Sequence, residues 1–294
     1  MSELHSSRTG FIAAFFTICI WTGFILVSRH GGKGVLTGWD VTALRFGMGS
    51  LIALIFLPRV TLPPYKVILL FSAFGGIGYS VAVYAGFRLA PAAHASVLLP
   101  GALPFATAVI AWLWLRQRPS PAQRIALALV LLGIIFTAAD TLFHGAHLTG
   151  MQMVGDLLFL CGSSSWAVFT LLLRRYPMPP LTAAVTTTLG SAILYLPVWW
   201  FFLPSTLGQA LPAEIAMQAA YQGVLVVFIA MLLYAFSVRC LGAQSVTLLM
   251  AIVPGLSALA AVPVLGEPLS WFTLAGLGAV TIGAIFGART PSSR

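Results

Sequence analysis

The chain has 294 residues, of which 60% are hydrophobic and only 7% charged, with a formal net charge of +9. A soluble domain carries roughly 25% charged residues, so the composition excludes an ordinary cytosolic enzyme. It also excludes reading the 15 Lys and Arg as a nucleic-acid footprint, because they fall in or next to joints between apolar runs, apart from Arg45, which lies within a span.

A bilayer core asks about 17–25 apolar residues of a helix. Ten such runs follow one another: Thr9–Ser28, Val41–Leu57, Val67–Phe87, Ala92–Leu115, Ala122–Ala139, Gly155–Leu173, Ala183–Phe202, Ile215–Val238, Ala243–Leu265 and Trp271–Ala288. The predicted class is therefore an all-α polytopic membrane protein with ten transmembrane helices. Met1–Gly10 is short, and the run after it is too long for a signal-peptide core and lacks a small-x-small cleavage site, so it reads as the first span. Joints such as His30–Gly38, Pro58–Lys66 and Arg116–Pro121 carry Gly, Pro or basic residues. The longest, Asp140–Val154 and Leu203–Glu214, are too small to fold alone, so function must live in the helical bundle. Cys19, Cys161 and Cys240 lie in or at the end of apolar runs without metal-ligand spacing, and read as free packing residues.

The basic residues set an expected orientation. With the N-terminus cytoplasmic, eleven Lys and Arg (Arg8, Arg59, Lys66, Arg116, Arg118, Arg124, Arg174, Arg175, Arg239, Arg289, Arg294) lie inside and three (Arg29, Lys33, Arg88) outside. That is a strong positive-inside bias. It predicts a multi-pass protein of the cell inner membrane with both termini cytoplasmic. Five acidic residues, Asp40, Asp140, Asp156, Glu214 and Glu267, fall on or near the outer side.

The chain also repeats itself. Tyr84-Ala85 recurs as Tyr234-Ala235, Leu98-Leu99 as Leu248-Leu249, Pro104 as Pro254 and Ser120 as Ser270, each at an offset of 150 residues. Nearer the start the offset is 145, matching Trp21 to Trp166, Phe24 to Phe169 and Arg29 to Arg174. Each copy holds five spans, and an odd number inverts the second copy. The expected division is residues 1–147 and 148–294, two inverted five-helix repeats with a cavity at their interface. Such repeats mark secondary transporters, where exchanging the two halves' conformations converts one access state into the other.

With these features the sequence resembles the drug/metabolite transporter superfamily, its EamA-type members in particular. The patterns that carry the resemblance are Ile20-Trp21-Thr22, Ser165-Trp166-Ala167, Leu44-Arg45-Phe46, Gly155-Asp156-Leu157-Leu158 and Leu265-Gly266-Glu267. One departure stands out: Arg116-Gln117 occupies the first-half position where such families often show Gly-Glu. The resemblance implies a carrier of small metabolites, and its amino-acid exporter branch, including aromatic amino acids, fits the residues below.

Trp21 and Trp166 are the thirteenth of twenty and the twelfth of nineteen residues in their spans, which places both near mid-membrane. Packing against lipid or a neighbouring helix is one reading; an aromatic wall of the substrate cavity is the other. Trp39, Trp199, Trp200 and Trp271 lie near span ends and read as interfacial. His94 and Gln244 are repeat equivalents just inside the fourth helix of each half. Each could bond a free helix-end amide or contact substrate, and His94 could carry a proton because imidazole titrates near neutral pH. Tyr79, Tyr84 and Tyr234 need hydroxyl partners when buried, whether backbone or ligand. Arg45 lies six residues past Trp39 and is expected to snorkel outward or pair with Asp40, a substrate contact being the alternative. Pro100, Pro104 and Pro254 are expected to break the fourth and ninth helices at mid-membrane and serve as gates.

No Asp or Glu lies at the centre of a predicted span, which disfavours a cationic-drug antiporter. The substrate expected is a small neutral or zwitterionic metabolite, an amino acid before others, exported by alternating access with protons as candidate coupling ion. An intramembrane enzyme around Gly162-Ser163-Ser164-Ser165, or a carrier for another metabolite such as a nucleotide sugar, are the alternatives. The expectation includes no enzyme activity, catalytic residue, cofactor or metal, no nucleic-acid partner, and a monomer or weak homodimer.

Overall fold

A computed structural model of the protein describes residues 2–116, 120–144, 149–241, 246 and 249–289. Among these residues ten helices cross the fold: α1 Ser2–Lys33, α2 Gly38–Phe56, α3 Tyr65–Leu89, α4 Ala92–Trp114, α5 Pro121–His144, α6 Thr149–Arg175, α7 Pro180–Phe202, α8 Pro212–Leu241, α9 Val253–Leu265 and α10 Trp271–Arg289. Eight of them contain apolar stretches long enough to span a bilayer; the described parts of α9 and α10 are shorter. Helices are what such runs must form, because lipid offers no partner to an unpaired backbone amide or carbonyl. The protein is a multi-pass membrane protein. An even number of crossings brings both chain ends to one side, called here the near end; the opposite side is the far end.

The two halves pack helix against helix across the repeat boundary. α1 lies on α8 and α3 on α6, α2 on α7, α4 on α9 and α5 on α10. Adding five to one member of each pair and subtracting five from the other returns a pair of the same set, as a two-fold relation requires. The tightest contacts obey it too. A Cβ on Gly133 of α5 would stand 2.8 Å from the Gly276 carbonyl oxygen of α10, and one on Gly283 would stand 2.8 Å from that of Ala126. Residues 133 and 283, and 126 and 276, are the 150-residue equivalents, so small residues let these backbones approach at both symmetric points.

Three boundaries differ from the sequence reading. α1 continues to Lys33 rather than stopping at Ser28. Gly31 and Gly32, which read as joint residues, are helical and serve close packing: a Cβ on Gly32 would meet the Phe87 carbonyl oxygen at 2.5 Å. Basic His30 and Lys33 in the last turn also complement the helix dipole. α8 begins earlier, with Pro212 in its first turn, where a missing N–H costs nothing. α9 is described as a helix from Val253, and most of the stretch between 242 and 248 falls outside the described residues.

Helical geometry is interrupted at three places by π-type turns, Ser72–Gly78 in α3, Val97–Gly101 in α4 and Ala219–Ile229 in α8. The first and third are repeat equivalents. In α4 the cause is Pro100, which lacks the N–H that a regular ladder needs. Pro104 and Pro254 play a different part from the one expected of them. Each lies in the first turn of the helix that restarts after the break, behind Ala102 and Ile252 as the capping residues. A proline fits that position without loss, so the breaks lie at Gly101–Ala102 and Ala251–Ile252 rather than at these prolines.

Candidate functional site

All three π-turns face one cavity of about 180 Å³ at the interface of the two halves. It is lined by Gly75 of α3, Leu99 and Pro100 of α4 and Val226 and Val227 of α8, with Trp21, Arg45, Tyr79, Trp166 and Thr187 from the helices around them. A π-turn inserts a residue into the ladder and re-aims the side chains around it, a device common at functional sites. The walls are aromatic. Tyr79 and Trp166 have ring centroids 4.9 Å apart, Trp166 and Phe169 are 5.1 Å apart, and Phe24 stacks on Tyr79 at 6.5 Å. Tyr234 does not line the cavity but backs Trp21 from outside, with ring centroids 5.4 Å apart.

Tyr84 belongs to a buried roof between cavity and far end. Its hydroxyl donates to Gln222 Oε1 at 3.0 Å and accepts from Arg45 Nη1 at 3.2 Å. Gln222 Nε2 donates in turn to Ser28 Oγ at 3.1 Å and to Gln218 Oε1 at 3.3 Å, and Gln218 Nε2 donates to the Val27 carbonyl at 2.9 Å. The relay ties α1, α2 and α3 of the first half to α8 of the second. Arg45 therefore neither snorkels nor pairs with Asp40. Asp40 is taken by the α2 capping box with Thr37 and by Trp199, Ser205 and Thr206, so its oxygens are satisfied without the guanidinium.

Above the roof two charged clusters bridge helices at the far end. Glu267 accepts from Arg29 Nε at 2.6 Å, Lys33 Nζ at 2.9 Å and the Ala92 amide at 2.8 Å, joining the α9–α10 joint to α1 and to the start of α4. Burial opposes its ionisation, but Lys33, Arg29 and that amide outweigh it and hold its pKa below the ordinary glutamate value. His94 stands between two carboxylates, with Nδ1 2.9 Å from Asp156 Oδ1 and Nε2 2.9 Å from Asp140 Oδ2. Thr141 donates to Asp156 at 2.6 Å and Thr273 to Asp140 at 3.0 Å. Both imidazole contacts are satisfied together only if the cluster holds a proton, on the ring or on one carboxyl, because a neutral imidazole has a single N–H. His94 is thus buried and does not reach the cavity, and its repeat equivalent Gln244 lies outside the described residues.

A family profile described as EamA-like transporter family matches residues 8–139 and again 153–288, the two matches falling one in each half of the fold. The chain belongs to the EamA-like transporter family. It is accordingly a membrane transporter of the drug/metabolite superfamily, a secondary carrier of small metabolites and not an enzyme. A solved crystal structure with 21% identity, aligned over 95% of this chain and 96% of its own, superposes with a TM-score of 0.63; at that identity the likeness speaks for the fold alone. No curated protein matches the sequence.

Sequence reasoning placed Trp21, Tyr79, Trp166 and Pro100 among the site residues, and all four line the cavity. It missed the His94–Asp140–Asp156 cluster and the Glu267 bridge as units. A signal existed: five of the six acidic residues fall on one side, together with Arg29, Lys33 and His94. So few charges on one face of a membrane bundle have little else to pair with.

Proposed function

We propose that this EamA-family protein carries a small neutral or zwitterionic metabolite, an amino acid before other classes, out of the cell by alternating access. The carrying observation is the aromatic cavity at the repeat interface, faced by three π-turns and roofed on one side by a hydrogen-bonded relay. Trp21, Tyr79 and Trp166 supply the binding wall. Tyr84, through the roof, and Tyr234, behind Trp21, shape it. The breaks at Pro100 and ahead of Pro104 and Pro254 give α4 and α9 places to bend without exposing unpaired carbonyls to lipid.

The positive-inside count puts the near end, with both termini, in the cytoplasm of a cell whose inner membrane holds the protein. The far-end clusters then close the outward path. A proton shared among His94, Asp140 and Asp156 is the candidate coupling ion, since opening that end would separate the imidazole from its carboxylates and let the proton leave. The halves 1–147 and 148–294 move against one another within a single structural unit, which a monomer suffices to form.

Counterflow in proteoliposomes tests this reading. Protein reconstituted with an unlabelled amino acid inside should accumulate the labelled one transiently and saturably. Reporter fusions should place Lys66, Arg118 and Arg175 inside and Lys33, His144 and Gly208 outside. Non-saturable flux, or a chemically altered solute, would count against a carrier.

A further inference from the structure

Arg45 is the one group in the cavity wall whose charge nothing described balances. It is 5% exposed, and its Nε is buried without a hydrogen-bond partner. Its one hydrogen bond among the described residues is from Nη1 to the Tyr84 hydroxyl at 3.2 Å. Four acids are engaged elsewhere: Asp40 at the α2 cap, Glu267 with Arg29 and Lys33, Asp140 and Asp156 with His94. Glu214, whose Oε1 is buried without a partner, packs beside Gly34 in the joint after α1 and does not line the cavity. A guanidinium cannot shed its proton to escape the cost of burial. A second polar atom in the same wall, Thr187 Oγ1, is likewise buried without a partner. Two unpartnered donors carried by residues that line one aromatic cavity are the complement of an anion with an apolar body.

We propose that the substrate is a monocarboxylate whose carboxyl group is held by Arg45 and Thr187 and whose apolar or aromatic body lies against Trp21, Tyr79 and Trp166. The inference rests on the carrier reading above and moves its substrate class from neutral or zwitterionic solutes in general to those that carry one carboxylate, with or without an amine. The planar fork of a guanidinium matches the two oxygens of a carboxylate, and the bond from Nη1 to Tyr84 holds that fork in place at the edge of the cavity. Among the described residues no other Lys or Arg lines the cavity, so one negative charge is matched and the two of a phosphate monoester are not. Among the described residues no Asp or Glu lines it either, so an ammonium group finds no ionic partner there. Recognition of an amino acid therefore runs through its carboxyl end, and a carboxylate lacking the amine should bind comparably.

The test is binding to the purified, reconstituted full chain, followed by tryptophan fluorescence, with phenylalanine and 3-phenylpropionate set against phenylalaninamide and 3-phenylpropionamide. The two carboxylates should bind saturably and the two amides about tenfold or more weakly, the scale of a charge-assisted bond. Arg45→Met should bring the carboxylates down to the level of the amides while leaving the amides unchanged. Tyr84→Phe, which keeps the charge but frees the fork, should weaken carboxylates alone and so serves if Arg45→Met does not fold. Equal binding of amides and carboxylates to the wild-type protein overturns the proposal, as does binding of none of the four. Arg45-dependent carboxylate binding with no counterflow would leave the anion site standing and remove the carrier reading. Counterflow of amides as fast as of acids would do the reverse.

Discussion

The two ends of the bundle are built from equivalent positions and yet are finished differently. At the far end Arg29 meets Glu267 across the halves. The repeat equivalent of Arg29 is Arg174, whose side chain is exposed at the near end, and that of Glu267 in the sequence is Gln117, an uncharged residue outside the described ones. The same contrast runs along α4. Ala92 to Leu99, toward the far end, are buried without exception, whereas none of Leu103 to Ile110 is. Even the helix caps differ. Gly266 takes the left-handed conformation (φ 66°) after α9, and Arg116 takes it (φ 57°) after α4, where a side chain raises its cost. A pseudo-symmetric scaffold can adopt two mirror-related access states with similar packing. The ion pairs that Arg29 and Lys33 make with Glu267 join the halves at the far end, and under the proposed mechanism they favour the state in which that end is closed.

Several changes would break or sharpen this contrast. The largest effect is expected from Glu267→Gln, which leaves Arg29 and Lys33 without their carboxylate. Removing one partner of a largely buried ion pair costs about 3 kcal/mol, read as a shift toward far-end opening in distances between spin labels on α1 and α9. Acid should act in the same direction. Glu267 has a lowered pKa, so its contribution is complete above the ordinary value of 4.5 and is lost as pH falls through the lower folded value. Far-end opening should therefore increase below pH 4.5 in the wild type, and that acid response should disappear in Glu267→Gln.

His94→Gln comes next. It removes the imidazole that the two carboxylates share and should flatten the pH dependence of transport, measured as counterflow rate against pH. A parental profile in that variant would move the coupling away from this cluster. Trp21→Ala and Trp166→Ala each remove an aromatic wall face and should weaken substrate binding by about 2 kcal/mol, with membrane insertion intact. Unchanged kinetics in both would return these residues to packing. The smallest effect belongs to the near end. Arg116→Gly relieves the left-handed cap and should stabilise the protein by about 1 kcal/mol, seen as a higher midpoint of thermal unfolding in detergent with little change in transport.

Much of the fold was legible because lipid reduces the choices. Long apolar runs can only be helices, and Trp21 with Trp166, or Tyr84 with Tyr234, announced the duplication. The cavity was legible in part for the same reason: equivalent aromatics at mid-depth had to meet near the pseudo-two-fold axis. Partners across the halves were harder to read. Arg45 looked near enough to Asp40 to pair, but the capping box at Thr37 and the Ser205–Thr206 segment, 165 and 166 residues away in sequence, claimed that carboxylate first. His94 looked like a site residue because its chemistry suits one, yet Asp140 and Asp156 on neighbouring helices hold it from both sides. The π-turns left little trace beyond Pro100, since they arise from tertiary packing rather than local propensity.

The most direct test of a sealed far end and a reachable near end is cysteine labelling. Cys19, Cys161 and Cys240 are free thiols, so they are first replaced by serine. Leu103→Cys on the near side of the cavity and Ser28→Cys in the roof are then introduced singly and treated with a membrane-impermeant maleimide in right-side-out and inverted vesicles. The account predicts that Leu103→Cys reacts in inverted vesicles alone and that Ser28→Cys stays unreacted in both, becoming reactive in right-side-out vesicles once Glu267→Gln is added. Labelling of Ser28→Cys from the outside in the unaltered background, at a rate matching Leu103→Cys from the inside, would contradict it.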